Sequence, residues 1–447
     1  MLGIFGTGYV GLVTAVCLAE MGFSVIAHDL DIRKIRSLEQ GNPTIFEPSL
    51  EEMLKRNLSE GRLIFTADSQ KVVKNCETLF LCVGTPPKPD GSTDMSQVES
   101  VVKQVVQNMD GYRLLVVKST VPVNTANWVR KVARLYSNTK KISLDVASNP
   151  EFLREGAAIY DFLHPDRIVI GVSSREARER LLQIYSKIEC PKLVTDIATA
   201  EIVKYASNTF LSMKISFINM IADLCEKVGA DVERVAEGMG LDPRIGRQFL
   251  KAGVGFGGSC FPKDLYSFIH TGQQHNVNVS VLEKVLEINN QRHLRLVDHL
   301  IEELWVLNGK NISVLGLAFK PGTDDVREAP SARLIGRLLE LGAKVKCYDP
   351  IASSKFEEMY PELAKDIEIV NDLDDCVKGA HASVIITEWP EIVAMDLKRI
   401  KNLMEFPIII DGRNALDHQR VGEIGFIYRA LGRKTTIIEE DCEECFK

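Results

Sequence analysis

Short apolar runs recur towards both ends of this chain. Each is followed by a glycine-rich or polar turn and then by an apolar helical stretch. Residues 2–6 are the first run, a helix is expected from about Leu12 to Met21, and the strand Ser24–His28 ends at Asp29. Thr78–Val83, Leu114–Lys118 and Leu144–Ser148 read as further strands of the same β–α series, which predicts a parallel sheet. After Cys190-Pro191 the pattern changes. Thr199 to about Val228 reads as one helix of roughly 45 Å at 1.5 Å per residue, with Gly229 placed to end it. Ala230–Asp242 and Leu282–Leu307 are helical too, with a glycine-rich loop between them. The first plan then returns: strand Asn311–Leu315, helix Pro330–Leu341, strand Lys344–Tyr348 ending at Asp349, and strands at Val384–Thr387 and Pro407–Asp411. The expected fold is α/β, with two Rossmann-like parallel-sheet domains at 1–196 and 301–447. A long central helix and a helical dimerisation segment at 197–300 join them.

The turns carry candidate chemistry. Gly6-Thr7-Gly8-Tyr9-Val10-Gly11 sits between a strand and a helix, the setting of a dinucleotide-binding fingerprint. Gly6 makes the turn, Gly8 lets a pyrophosphate reach the helix N-terminus, and Gly11 lets helix and strand pack closely. Asp29 lies 18 positions after Gly11, where a carboxylate accepts from ribose hydroxyls and repels a 2′-phosphate, so NAD is expected rather than NADP. Ligands bind beyond the C-terminal ends of parallel strands, which makes Thr85, Thr120 and Glu151 candidates to face cofactor or substrate. For either threonine a helix N-cap is an equally good account. Lys204 and Asn208, spaced i, i+4, share one face of the long helix, either as a site wall or as its solvent face. The second half lacks the full fingerprint and has Lys320 in its turn, which fits a nucleotide other than NAD.

The stretch Gly255-Phe256-Gly257-Gly258-Ser259-Cys260-Phe261-Pro262-Lys263-Asp264 surrounds one cysteine with little side-chain bulk. A thiol followed closely by a lysine and an aspartate is a candidate nucleophile, because a nearby cation favours the reactive thiolate. Taken alone, the same stretch reads as a tight turn with a structural cysteine.

Composition narrows the class. The 447 residues suggest two or three domains, and 45% hydrophobic with 26% charged residues is ordinary for a globular protein. A net charge of -7 gives no bias towards nucleic acid or anionic membrane, and no apolar run reaches the ~20 residues that span a bilayer. The N-terminus has no basic segment ahead of its apolar run, so no signal peptide is expected. Ten cysteines without pairing spacing read as reduced thiols in a cytoplasmic protein. Cys17, Cys76, Cys82, Cys225, Cys347 and Cys376 fall in core patterns. The Cys442-Glu443-Glu444-Cys445 tail reads as a disordered end, and no metal is assigned.

Together these motifs resemble the UDP-glucose/GDP-mannose dehydrogenase family over essentially the whole chain. The resemblance rests on Gly6–Gly11, Val83-Gly84-Thr85-Pro86, Lys118-Ser119-Thr120-Val121, Asn149-Pro150-Glu151-Phe152-Leu153-Arg154-Glu155, Glu201 to Asn208, the Cys260 loop and Gly316-Leu317-Ala318-Phe319-Lys320. Arg244-Ile245-Gly246 and Asp411-Gly412-Arg413 resemble its UDP-sugar branch. The resemblance implies oxidation of UDP-glucose at C6 to the acid, with two NAD+ reduced and the aldehyde held on Cys260 as a thiohemiacetal and then a thioester. Lys204 and Asn208 are implied to stabilise the developing oxyanion. Asp264 and Thr120 are implied to position the attacking water, with Asp264 or Glu151 taking its proton. Around the cofactor it implies Tyr9, Val10, Lys34, Thr85, Thr120, Glu155 and Arg327. Around the UDP-sugar it implies Glu151, Phe152, Leu153, Phe249, Lys251, Phe256, Gly257, Phe319, Lys320 and Arg413, with Arg244 reaching a neighbouring subunit's site. The implied partners are the UDP-sugar and a second copy in a homodimer or higher homo-oligomer. Two rivals stand beside this reading: the same chemistry on UDP-N-acetylmannosamine or UDP-N-acetylglucosamine, and a non-catalytic nucleotide-sugar sensor.

Overall fold

The computed structural model describes residues 1–137 and 142–435. These fall into two compact units: Met1–Ser207 with Tyr266–Asn278, and Asn208–Leu265 with Val279 onward.

The first unit is built on eight strands: β1 (Leu2–Phe5), β2 (Val25–His28), β3 (Leu63–Thr66), β4 (Thr78–Leu81), β5 (Arg113–Val117), β6 (Leu144–Ser148), β7 (Ile168–Gly171) and β8 (Lys192–Thr195). Their order in the sheet is β3-β2-β1-β4-β5-β6-β7-β8. The first six are parallel in the dinucleotide-fold order, with the switch point between β1 and β4. β7 turns antiparallel to β6 and carries β8 with it. Side-chain alternation divides the core between the sheet's two faces. Phe80, Leu114 and Val116 pack on one side, and Leu79, Leu81, Leu115 and Val117 on the other. That double burial is why these strands read as continuous apolar runs.

The second unit repeats the plan with six parallel strands: β9 (Asn311–Leu315), β10 (Lys344–Tyr348), β11 (Glu368–Val370), β12 (Ala382–Ile385), β13 (Ile408–Asp411) and β14 (Ile427–Ala430), in the order β11-β10-β9-β12-β13-β14. The long helix is Ile197–Val228, 32 residues, and ends at Gly229 with φ +74. The helix Val232–Gly240 follows, and Ser280–Leu304 comes later.

The helix Phe261–Gln274 begins inside the stretch read as a glycine-rich loop. Pro262 beside a run of glycines reads as loop, yet proline is tolerated in a helix's first turn, where its missing N–H has no intrahelical partner. The six cysteines placed in core patterns are all buried. Cys442 and Cys445 lie outside the described residues. No helix among the described residues is long and apolar enough to cross a membrane.

Candidate active site

In the first unit, the turn after β1 has the shape a dinucleotide needs. Gly6 sits at φ +91, where a side chain would be strained. A Cβ on Gly11 would fall 1.9 Å from the Gly6 carbonyl oxygen, while nothing lies within 4 Å of one on Gly8. The helix that starts at Tyr9 has no side-chain cap, so its first N–H groups face an open approach suited to pyrophosphate. Val10 is half-buried in that first turn.

Asp29, at the end of β2, accepts from Thr7 N at 2.9 Å, Thr7 Oγ1 at 2.8 Å and Asp31 N at 3.1 Å, with Lys34 Nζ 3.4 Å away. Burial alone would push its pKa up, but those N–H and hydroxyl donors and the Lys34 charge together hold it below the usual carboxylate value. A fixed anion at this lip suits ribose hydroxyls and opposes a 2′-phosphate.

Glu47 was not anticipated. It is 6% exposed, accepts the Tyr9 hydroxyl, and takes the N–H groups of Gly156 and Ala158, each at 2.7 Å. It thereby ties the glycine turn's helix to the loop that carries Glu155. Nothing in the aperiodic segment around Glu47 signals this.

Thr85 Oγ1 donates to the Thr120 carbonyl at 2.8 Å. Neither threonine caps a helix: the nearest helices begin at Ser96, after Met95, and at Thr125, after Asn124. Lys204 and Glu151 form an ion pair of 3.1 Å with side chains 5% and 6% exposed, so this face of the long helix is a wall rather than a solvent surface. Burial works against the Glu151 carboxylate, but the Lys204 charge, the Leu153 N–H at 2.6 Å, the Lys204 hydrogen bond and the more distant Lys118 outweigh it and keep its pKa low. Lys118 is itself fully buried beside Asn149, and desolvation lowers its pKa. The Phe152 ring, next to the half-buried Leu153, lies 4.0 Å from the Arg167 guanidinium and 5.3 Å from Lys204 Nζ. Arg167 was missed because nothing in the order of residues says which ring it will meet.

Glu201, one turn before Lys204 on the same helix, accepts from Asn124 N at 2.7 Å. It braces the segment that carries Thr120. Burial pushes its carboxyl up to about 7 against the opposing N–H groups of Asn124, Ala126 and Thr125.

In the second unit, Cys260 stands immediately before the helix Phe261–Gln274, and its carbonyl accepts from Asp264 N at 2.9 Å. The amino end of a helix favours an anion, which suits a thiolate there. Ser259 Oγ is 3.5 Å from its sulfur. Asp264, one turn on and 1% exposed, accepts from Asn208 Nδ2 at 2.6 Å and has Lys263 Nζ at 3.3 Å. Asn208 is in turn buried, with its carbonyl taking the Ser212 hydroxyl at 2.8 Å.

The Phe249, Phe256 and Phe261 rings cluster, with Phe249 at φ +64. Arg413 donates to the carbonyls of Ile386, Gly255 and Phe319. Glu388 lies between Arg413 at 3.4 Å and Lys251 at 3.7 Å. Gly257 packs where a side chain would meet the Glu328 carbonyl and Phe319, and Lys320 Nζ lies 5.3 Å from the Phe319 ring. Arg327 pairs with Asp325, and the highly exposed Arg244 with Asp242. Asp349, the counterpart of Asp29, accepts from the N–H groups of Leu317, Ala318, Ile351 and Ala352 and from the Trp389 indole, all internally. A carboxylate so fully engaged closes its own turn, a physical reason for the second half not to reuse its aspartate as the first half does.

The NAD binding domain of the UDP-glucose/GDP-mannose dehydrogenase family matches residues 1–189, its central domain 198–291 and its UDP binding domain 313–418. A UDP-glucose 6-dehydrogenase of Bacillus subtilis is 42% identical over 445 residues, 100% of this chain and 96% of its own. Among solved structures, a UDP-glucose dehydrogenase of the archaeon Pyrobaculum islandicum superposes with a TM-score of 0.90 at 39% identity, over 97% of this chain and 98% of its own. A UDP-D-ManNAc dehydrogenase of Pyrococcus horikoshii gives 0.85 at 29% identity, over 97% and 99%.

Proposed function

The chain belongs to the UDP-glucose/GDP-mannose dehydrogenase family, and on that premise we propose how its residues perform the NAD-dependent, four-electron oxidation of UDP-glucose at C6 to UDP-glucuronate. NAD+ supplies the hydride acceptor, once for each of two oxidations. Residues 1–196 bind it, 197–300 carry the cysteine, and 301–447 hold the UDP moiety. The three family domains, matching within these limits, support that division.

In the first oxidation the C6 hydroxyl loses its proton while Lys204 and Asn208 stabilise the oxyanion by charge and hydrogen bonding. Hydride leaves C6 and an aldehyde results. The Cys260 thiolate adds to that carbonyl carbon, forming a C–S bond and a thiohemiacetal, so the reactive aldehyde stays attached. Loss of a second hydride makes a thioester. Water positioned by Thr120 and Asp264 attacks it, Asp264 takes the proton, the C–S bond breaks, and carboxylate and thiol are released. Asp264 is preferred to Glu151 as that base because its backbone N–H is bonded to the Cys260 carbonyl, one helical turn from the nucleophile. The observation that carries the reading is the buried Asp264 carboxylate, oriented by Asn208 one helical turn from the Cys260 backbone.

Thr85 and Glu155 serve the nicotinamide half of NAD, Arg327 its diphosphate, and Lys251, Lys320 and Arg413 the anionic UDP. The experiment is a substrate panel read by NADH absorbance. Two NADH per UDP-glucose, with UDP-glucuronate as product, is the expected result; no NADH would leave only a nucleotide-sugar sensor. The Pyrococcus relative's substrate makes UDP-N-acetylmannosamine the second member of the panel, and preference for it would move the substrate assignment.

Phe210, Phe217, Met220, Leu224 and Val228 leave an exposed apolar stripe along the long helix. Their spacing fits one helix face, which supports a homodimer through this element, testable by light scattering. Cys17, Cys76, Cys82, Cys225, Cys347 and Cys376 are buried thiols outside disulfides, which supports a reducing, cytoplasmic setting.

A further inference from the structure

Residues 252–258, which lead to the nucleophile, are irregular in backbone and buried throughout. A buried loop has no neighbouring strand or helical turn to satisfy its N–H and C=O groups, so other parts of the protein must do so. Here buried side chains do much of it. Asn219 of the long helix accepts from Gly253 N at 2.8 Å, and Arg292 donates to the Gly253 carbonyl at 3.2 Å. Asn289, on the helix Ser280–Leu304, grips Phe256 twice. Its Oδ1 accepts from Phe256 N at 2.8 Å and its Nδ2 donates to the Phe256 carbonyl at 3.0 Å. Asn289 is 4% exposed, Arg292 2% and Asn219 0%.

The glycines are shaped to this grip. Gly255 is at φ +100, and a Cβ there would lie 2.6 Å from Asn289 Oδ1. Beyond Phe256 the backbone passes Gly258, whose N–H is held by the Arg327 carbonyl at 2.8 Å, and reaches Cys260 two residues later. The Asn289 carboxamide thus anchors the backbone four residues before the thiol, and replaces the two bonds a paired strand would make.

We propose that Asn289 is a positioning residue for Cys260: its two-bond grip on Phe256 fixes where the sulfur meets the aldehyde. The proposal rests on the covalent-capture reading above. Capture requires near-attack geometry, and a displacement of about 1 Å can cost on the order of 10²-fold. Loosening the grip should thus impair capture and the second oxidation, and should leave NAD binding alone.

The test compares wild-type full-length protein with N289A, or with N289S, too short to reach both Phe256 groups, where N289A does not accumulate folded. Turnover of UDP-glucose is run with hydroxylamine present to trap escaped aldehyde. The expected result is a kcat at least tenfold lower, NADH per sugar falling from two towards one with an aldehyde oxime appearing, and a Kd for NAD+ within twofold of wild type. A merely structural loss would lower the active fraction and leave the NADH-to-sugar ratio at two. That ratio, or a kcat within threefold of wild type, overturns the proposal. Hydrogen exchange on the wild type is an independent arm: the Phe256 amide should be strongly protected, and rapid exchange overturns the grip whatever the variants do. Wild type failing to yield two NADH would refute the catalytic reading instead, while leaving the exchange result to stand by itself.

Discussion

Replacing Lys204 with Met tests the buried ion pair with little change in side-chain bulk. In the wild type Glu151 is held below the usual carboxylate pKa, so it contributes stability above that range and loses it as the pH falls. In Lys204→Met the same carboxylate is buried without its partner. It can either remain charged or take up a proton, and the cheaper route caps the pH-dependent part of the loss. Protonating a group with an unfolded pKa of about 4.3 costs at most ~3.7 kcal/mol at pH 7 and ~1 kcal/mol at pH 5. That ceiling agrees with the roughly 3–5 kcal/mol typical when one member of a buried pair is removed. Lys118, whose charge also acts on Glu151, brings the expected loss below the cap. The expectation is therefore a destabilisation of about 2–4 kcal/mol at pH 7 that is smaller at pH 5 by up to ~2.7 kcal/mol. Both effects have the same sign: the wild type gains and the variant loses as pH rises. Urea unfolding of both proteins at the two pH values measures the difference. An equal loss at both would refute the coupling of Lys204 to the Glu151 charge.

Three further expectations follow from the same geometry. Cys260→Ser should stall at an oxygen ester that hydrolyses slowly, and intact-protein mass spectrometry during turnover should show a sugar adduct; its absence counts against covalent capture. Asp29→Ala removes charge-assisted bonds of about 1.5–3 kcal/mol, so the Kd for NAD should rise roughly 10- to 100-fold by titration calorimetry, and an unchanged Kd would remove its ribose role. Glu201 has its folded pKa raised to about 7, so its contribution to stability falls as pH rises from its unfolded value towards 7. Glu201→Gln, which does not ionise, should gain on the wild type across that window by on the order of 3 kcal/mol, with the gap level above it; a pH-independent gap in unfolding free energy would show that the Glu201 charge is not the cause.

Much of the architecture is legible without coordinates because its causes are local. A strand buried on both faces must be apolar at every position, a helix must end where a left-handed residue follows, and Gly6 and Gly11 answer to steric contacts within one turn. So β1, β9, β10 and the long helix are readable to within a few residues. β3, β7, β8, β11 and β14 were not anticipated, and β7 reverses direction, something its own residues do not dictate. The cysteine loop and its Lys-Asp sequel are likewise visible as a motif.

What the residue order leaves open is which polar groups are taken out of water together. Lys204 and Asn208 look the same whether they face solvent or a wall. Only the folded chain sets one against Glu151 and the other against Asp264. Glu47, Glu201 and Asn289 carry no periodic or spacing signal, because their partners lie 109, 77 and 33 positions away. Hydrogen bonds and ion pairs gain their strength from burial, and burial is a property of the packed tertiary structure, not of any short stretch of sequence.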